Sequence, residues 1–435
     1  MTQALSKLNP KLFRMALKAY AEERNAMRKG FILSGRVGTV IVHLMALLSL
    51  FAACQSLRSR SHFTREGFDP MYRYGIDPNK IPDYVTDETF PRAPEGEMGG
   101  LAGKDLREKD LSRLSADFLS RQTFDQNTRW PEENKLPRGF SPIAWLARGK
   151  DPGLGIKDIH KQGVTGKGVS VAVIDKPIFA GHQEFEGRIV YRRIAPEVKR
   201  NSFLHFHGIS CASILAGSTC GVAPEATIYY FATPDTARRF YYYSLALDEL
   251  VKVNESLPPK NKIRIVSISD GISREDRDWP TWESAVKKAE ASGVKVLCST
   301  STALKGFVWG GCRPDKDRGS PSNYDIALYW LDRIQRSQSS EEEKGLLYAN
   351  IIIPGDFRTT SSNMAEDTYI YWGKGGFSWA IPYVAGLAGL AWEIKPTMKF
   401  EEIIEVLKST KDVNEDGKKV INPRAFIKAV RSSVP

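Results

Sequence analysis

The sequence predicts an α/β domain built on a mostly parallel central sheet with helices on both faces. Three observations carry this. Apolar, β-branched runs recur at 168–175 (GVSVAVID), 263–269 (IRIVSIS) and 293–299 (GVKVLCS). A short apolar run bounded by turn residues is what a strand buried on both faces requires. Between the last two, WPTWESAVKKAEASG (279–293) has helical spacing and stops at Gly293, a natural C-cap. Strand, helix and strand in alternation imply parallel pairing with crossover helices. Ligand sites in such sheets lie at the carboxyl ends of the strands, and Asp175 ends one of them.

Taken in order, the 435 residues divide into three regions, 1–54, 55–150 and 151–435. Apolar content of 42% and charged content of 26% are ordinary for a folded chain. The net charge of +11 is unevenly spread. Residues 1–60 hold ten Lys/Arg against Glu22 and Glu23, a net of +8, leaving only +3 for the other 375 residues. A basic nucleic-acid face on the main domain is therefore not expected. The N-terminal charge instead precedes the apolar stretch from Val37 to Ala53, the pattern of an export signal. That stretch ends at LFAAC, which resembles the lipobox of bacterial lipoproteins and implies lipidation at Cys54. An uncleaved membrane anchor and plain secretion are the rival readings, since 17 residues is at the short limit for a spanning helix. All three export the domain, and the first two leave it membrane-associated.

Residues 55–150 are polar, with scattered Pro, Gly, Asp and Arg. They read as a tether, or alternatively as a pro-region, with one short amphipathic helix expected within 107–122. Cys211, Cys220, Cys298 and Cys312 show no zinc-type spacing.

Within 151–435 the search for a catalytic base is short. Of six histidines, His43 and His62 fall outside the region, leaving His160, His182, His205 and His207. His207 opens an apolar helical run, HGISCASILAG. Ser378 opens another in GGFSWAIPYVAG, where it serves either as a helix cap or as a nucleophile. Acyl transfer by serine needs a base for the Oγ proton and a carboxylate to hold the imidazole. Asp175, His207 and Ser378 supply these groups in one predicted domain.

At these residues a family resemblance becomes specific. TGKGVSVAVIDKPI (165–178) resembles the subtilase segment TGKGVxVAVIDTGI, HGISCASILAG (207–217) resembles HGTHVAGTIAG, and GFSWAIPYVAG (376–386) resembles GTSMAxPHVAG. The resemblance runs in order from about 151 to 431. It implies a three-layer subtilisin-like fold and a serine endopeptidase acting on polypeptides through Asp175, His207 and Ser378. It further implies a substrate-binding segment at Ser267, Ser269, Asp270 and Gly271, read as an edge strand to which an extended peptide adds. The implied chemistry needs no cofactor; calcium held by loop oxygens is common in the family, but no motif marks it here. Cys211, one turn below His207, is read as a buried free thiol.

The departures are as informative. The family's oxyanion asparagine is replaced in ASGVKVLCSTSTALKG, where Thr302 or a close neighbour holds the matching position. Removing that donor from subtilisin costs about 10²–10³ in rate, so a slow enzyme is expected. The alternative is a catalytically silent domain that binds a peptide or partner. Lys176-Pro177 follows the aspartate, where Lys176 is positioned to compete for its carboxylate. Tyr383 replaces the His of PHVAG. Asp270 implies a preference for basic substrates. DVNEDG (412–417) begins like a calcium loop but has Pro423 at the twelfth position, so it reads as a polar turn.

Overall fold

The computed structural model describes residues 76–82, 85–91, 100–195, 204–336 and 340–434. The export segment, Cys54 and the following polar stretch to residue 75 lie outside them. No helix among the described residues is long and apolar enough to cross a membrane.

In chain order the strands are β1 (Phe124–Asp125), β2 (Ser170–Asp175), β3 (Ile189–Arg193), β4 (Thr227–Ala232), β5 (Ile263–Ile268), β6 (Lys295–Cys298), β7 (Phe307–Cys312), β8 (Tyr324–Ile326), β9 (Ile351–Asp356), β10 (Arg358–Ser361), β11 (Tyr369–Trp372), β12 (Asp412–Val413) and β13 (Lys419–Val420). The central sheet has the order β3-β4-β2-β5-β6 and every neighbouring pair in it is parallel. Side chains alternate along β2 as the pleat requires. Val171 and Val173 enter a core shared with the helices Phe206–Ala216 and Phe377–Ile394. Ala172 and Ile174 enter a second core, beneath Arg239–Ser256 and Trp279–Ala291. The helices cover both faces, so the three-layer subtilisin-like architecture is the one observed.

The later strands do not extend this sheet. They form a second five-stranded sheet of order β12-β13-β9-β7-β8, parallel at β13/β9 and β9/β7, and a small antiparallel one of order β1-β11-β10. The DVNEDG stretch forms the β12–β13 hairpin, in which Asn414 Oδ1 accepts the amides of Asp416 and Lys418. The Lys418 ammonium, just after this turn, lies 2.8 Å from Asp325 and 3.4 Å from Asp416.

The polar character of 55–150 predicts a tether, and from residue 76 onward the structure corrects this. Leu101, Leu106, Leu111, Leu119 and Phe124 are fully buried in one core with Phe357, Tyr369 and Tyr371. The strand β1 pairs antiparallel with β11, Phe124 stacks on Tyr371 at 4.7 Å, and Trp130, Phe140 and Trp145 continue the aromatic cluster. No chain break in packing occurs at 150/151. These residues escape periodicity because most bury single side chains from turns. Only Ala116–Ser120 of the expected 107–122 helix forms, capped by Ser115 Oγ accepting the Phe118 amide.

Candidate active site

Asp175 is the last residue of β2 and is nearly inaccessible; His207 is the second residue of the helix Phe206–Ala216. The His205 side chain caps that helix, its Nδ1 accepting the His207 amide at 3.2 Å. Asp175 Oδ2 and His207 Nδ1 lie 2.7 Å apart, and Asp175 Oδ1 accepts the Lys176 amide at 2.8 Å. Both carboxylate oxygens are thus committed, and one is aimed at the imidazole. Burial opposes charge on His207, but the Asp175 carboxylate overrides it and holds the imidazole well above its ordinary range. Burial likewise pushes Asp175 upward, yet His207 and the Lys176 amide bring its carboxyl below its usual value. Lys176 does not compete for the carboxylate: its ammonium sits 3.4 Å from Asp235.

Ser378 is the second residue of the Phe377–Ile394 helix. The cap position belongs to Gly376, and no side chain caps this helix, so the cap reading of Ser378 is set aside. The Ser378 hydroxyl donates to the Ser269 carbonyl at 3.2 Å rather than to His207. Its own carbonyl is held by Ser269 Oγ at 2.8 Å and Cys211 Sγ at 3.5 Å. Cys211 Sγ is also 4.0 Å from His207 Nδ1, and one ligand atom each from Asp175, His207 and Cys211 lies within 4.8 Å of the others. The imidazole nitrogen facing this group is already engaged by Asp175. Cys211, Cys220, Cys298 and Cys312 are all buried free thiols.

The expected substrate segment divides. Ser267 lies inside β5, which pairs with β2 on one side and β6 on the other, and its side chain is buried. It therefore cannot receive a substrate strand, which corrects the edge-strand reading for that residue. Ser269, Asp270 and Gly271 run beyond the end of β5. The Asp270 carbonyl accepts the Ser299 amide at 2.9 Å. A Cβ on Gly271 would meet Ser299 Oγ at 2.3 Å and Thr300 Cγ2 at 2.9 Å, so only glycine keeps these two segments this close. The Asp270 carboxylate is paired with Arg239 Nε at 2.6 Å. The charge behind the expected basic preference is already balanced. Thr302 begins a single 3₁₀ turn after β6, is exposed, and is not hydrogen-bonded to Ser378.

Two supports were not legible in the sequence. Asp356, at the end of β9, is buried and accepts the amides of Leu328 (2.7 Å) and Gly375 (2.8 Å), which fixes the glycine loop entering Ser378. Burial pushes this carboxyl up to about 6. Glu184 is fully buried and gathers the amides of Thr219 (2.8 Å) and Cys220 (3.3 Å) with the hydroxyls of Thr219 and Tyr369. For Asp356 the available signal was an acid ending the apolar IIIPGD run; Glu184, in the polar HQEFEG stretch, had none. His182 is structural, Nδ1 accepting the Glu184 amide and Nε2 lying 2.8 Å from the Thr368 carbonyl.

A profile of the subtilase family matches residues 166–425. Subtilisin-like protease 2 of Trichophyton verrucosum is 28% identical over 235 residues, 53% of this chain and 51% of its own. Subtilisin-like protease 2 of Trichophyton equinum is 28% identical over 227 residues, 51% of this chain and 49% of its own. The chain thus spans about half the length of the curated relatives it matches. A crystal structure of MycP1 with its N-terminal propeptide removed is similar over 64% of this chain and 96% of its own, at 16% identity and a TM-score of 0.44. The family match alone covers more than half of the chain, and it takes in β2, the histidine helix and the serine helix described above: the chain belongs to the subtilase family of subtilisin-like serine peptidases.

Proposed function

We propose that the protein is an exported serine endopeptidase in which His207 activates Ser378 and Asp175 orients His207. The observation that carries this reading is the part-buried 2.7 Å contact of Asp175 with His207 Nδ1, which leaves Nε2 for proton transfer. Ser378 Oγ turns from the Ser269 carbonyl toward Nε2 and attacks the scissile carbonyl as His207 takes its proton. The C–N bond then breaks, His207 returns the proton to the amine, and water hydrolyses the acyl-serine by the same path in reverse. The Ser378 amide, in the first turn of its helix, is a donor for the developing oxyanion, with Thr302 as the second. An extended polypeptide lies along Ser269–Gly271. No cofactor takes part in these steps, and any calcium would be structural. Export through the 1–54 segment, with lipid at Cys54 or an anchor, places the domain at a membrane outside the cytoplasm.

Fluorophosphonate labelling of the full chain tests the reading. Labelling that disappears in Ser378→Ala supports it, and a folded protein that never labels overturns it. A second reading, a silent subtilase domain that binds peptides, is favoured by one observation: the Ser378 hydroxyl is bonded to Ser269 and not to His207. Mass spectrometry of the mature N terminus tests the Cys54 assignment.

A further inference from the structure

The loop that delivers Ser378 is Gly373-Lys374-Gly375-Gly376, and no side chain caps the helix it enters. A segment so rich in glycine does not fix its own backbone. It is held from outside by the end of β9. Asp356, 2% exposed, accepts the Gly375 amide on Oδ1 at 2.8 Å. The next residue, Phe357, donates its own amide to the Gly373 carbonyl at 3.2 Å. Phe357 does so at a φ of +57°, a left-handed value that is strained for a side chain of its size. Strain of this kind persists only where the surroundings impose it, and it gathers at functional sites. Side chain and backbone of two successive residues thus grip both sides of Lys374.

The second carboxylate oxygen is committed elsewhere. Asp356 Oδ2 accepts the amide of Leu328 at 2.7 Å, the first residue of the helix Leu328–Gln335, whose N-cap residue Ala327 offers no side-chain acceptor. That helix also returns to the loop, where Asp332 accepts from Lys374 Nζ at 2.6 Å. The groups that face Asp356 follow from its neighbours. Lys374 on the loop favours its charge and Asp332 on the helix opposes it. Arg121, from the N-terminal region, lies 3.8 Å from Asp332, and Arg318 bonds the Phe357 carbonyl. Tyr371 of β11 is itself held neutral by burial, and β7 presents only Gly311 opposite Asp356. Burial outweighs the two amides and Lys374, and pushes the Asp356 carboxyl up to about 6. The fold therefore gains from the protonated form. That stability is full below the carboxyl's ordinary 3.8 and is lost as pH rises through about 6. At neutral pH the ionised form opposes global stability while it holds the loop.

We propose that Asp356 is a positioning residue for the nucleophile: its carboxylate, shared between the Gly375 and Leu328 amides, sets where the loop delivers Ser378, and protonation loosens that hold. The inference rests on the reading of Ser378 as the nucleophile. Asp356 touches neither substrate nor His207 and acts only through the backbone three residues before the serine. A protonated carboxyl keeps one carbonyl oxygen as acceptor, while its O–H becomes a donor facing an amide. One of the two amides then loses its partner, and the glycine loop regains backbone freedom. Serine attack depends on placement at the ångström level, so the rate responds to this change more steeply than the fold does.

The test measures the second-order rate of fluorophosphonate labelling of the full chain, wild type against Asp356→Asn, from pH 5 to 8. The substitution keeps the shape, but its NH₂ must face one of the two amides at every pH. At pH 8 the variant is expected to label roughly tenfold more slowly. The ratio of wild type to variant then falls toward one as pH drops, with a midpoint near pH 6. Taking the ratio cancels the protonation of His207, which both proteins share. A packing role alone gives a ratio that pH does not change, and that result overturns the proposal, as does a ratio of one throughout. Should the variant fail to fold, the wild-type profile decides. Its labelling at pH 5 must lie roughly fivefold below the extrapolated effect of His207 protonation fitted above pH 7; labelling on that line overturns the proposal. A wild type that labels at no pH defeats the nucleophile reading and this inference with it, whereas a labelling wild type with a flat ratio defeats this inference alone.

Discussion

Asp175→Asn is the most informative single change, because the structure dictates which way the new amide points. Asp175 Oδ1 accepts the Lys176 amide at 2.8 Å, and a donor cannot sit there. The Asn oxygen therefore stays on Lys176, and its NH₂ replaces Oδ2 opposite His207 Nδ1, 2.7 Å away. An NH₂ donor forces Nδ1 to accept, which moves the imidazole proton to Nε2, the nitrogen that must take the serine proton. The base is then blocked by its own tautomer while shape and packing are kept. The expected loss is about 10⁴ in kcat, or about 5.4 kcal/mol of barrier, as for the same change in another serine protease. The pH profile gives a second readout. In the wild type the carboxylate holds His207 well above 6.5, and only the neutral imidazole is a base. The acid limb of kcat/KM should therefore lie above pH 6.5 and move to lower pH in Asp175→Asn. Steady-state hydrolysis of a peptide library from pH 5 to 10, beside a thermal melt to confirm folding, supplies both numbers. A folded Asp175→Asn enzyme within tenfold of wild type, with an unmoved acid limb, would refute the orientation argument.

Thr302→Asn should raise kcat by about 10²–10³ with little change in KM, if this position supplies the second oxyanion donor; a change below threefold places that donor elsewhere. For Glu184, replacement by Ala strands the buried amides of Thr219 and Cys220 and should cost about 2–5 kcal/mol. Glu184→Gln should cost clearly less, because the Thr219 and Tyr369 hydroxyls reverse to accept from the new NH₂; thermal melts showing the opposite order would sink this account. Gly373→Ala would set a Cβ 2.2 Å from the Arg121 carbonyl carbon. It should lower the melting midpoint and activity together, and an unchanged midpoint would show that the N-terminal segment does not brace β11.

The central sheet was legible because β2, β5 and β6 are buried on both faces, so their apolar runs are unbroken. His207 and Ser378 were legible because each begins an apolar helix, a setting that single residues and their neighbours define. What escaped depends on contacts between distant segments. The pairing of Ser267 on both sides follows from the parallel order β2-β5-β6 and not from the IVSISDG segment itself. The neutralisation of Asp270 requires Arg239, on a helix earlier in the chain, to reach across to it. The packing of the described residues between 76 and 150 rests on scattered leucines and on Phe124, Trp130, Phe140 and Trp145, whose spacing matches neither helix nor strand. Four large aromatic residues within 124–145 were the signal that a free tether does not carry.

The pairing of β1 with β11 also has a consequence for how the chain is made. Phe124 and Tyr371 are 247 positions apart in sequence, so the loop-closure entropy of joining them must be met before their contact stabilises anything. During synthesis the first partner waits, with its aromatic side chains uncovered, until almost the whole catalytic region has emerged. The support behind the nucleophile loop is therefore among the last contacts to form. A nascent or truncated chain lacking either strand cannot form that pairing, so the support is complete only when both ends of the fold are present.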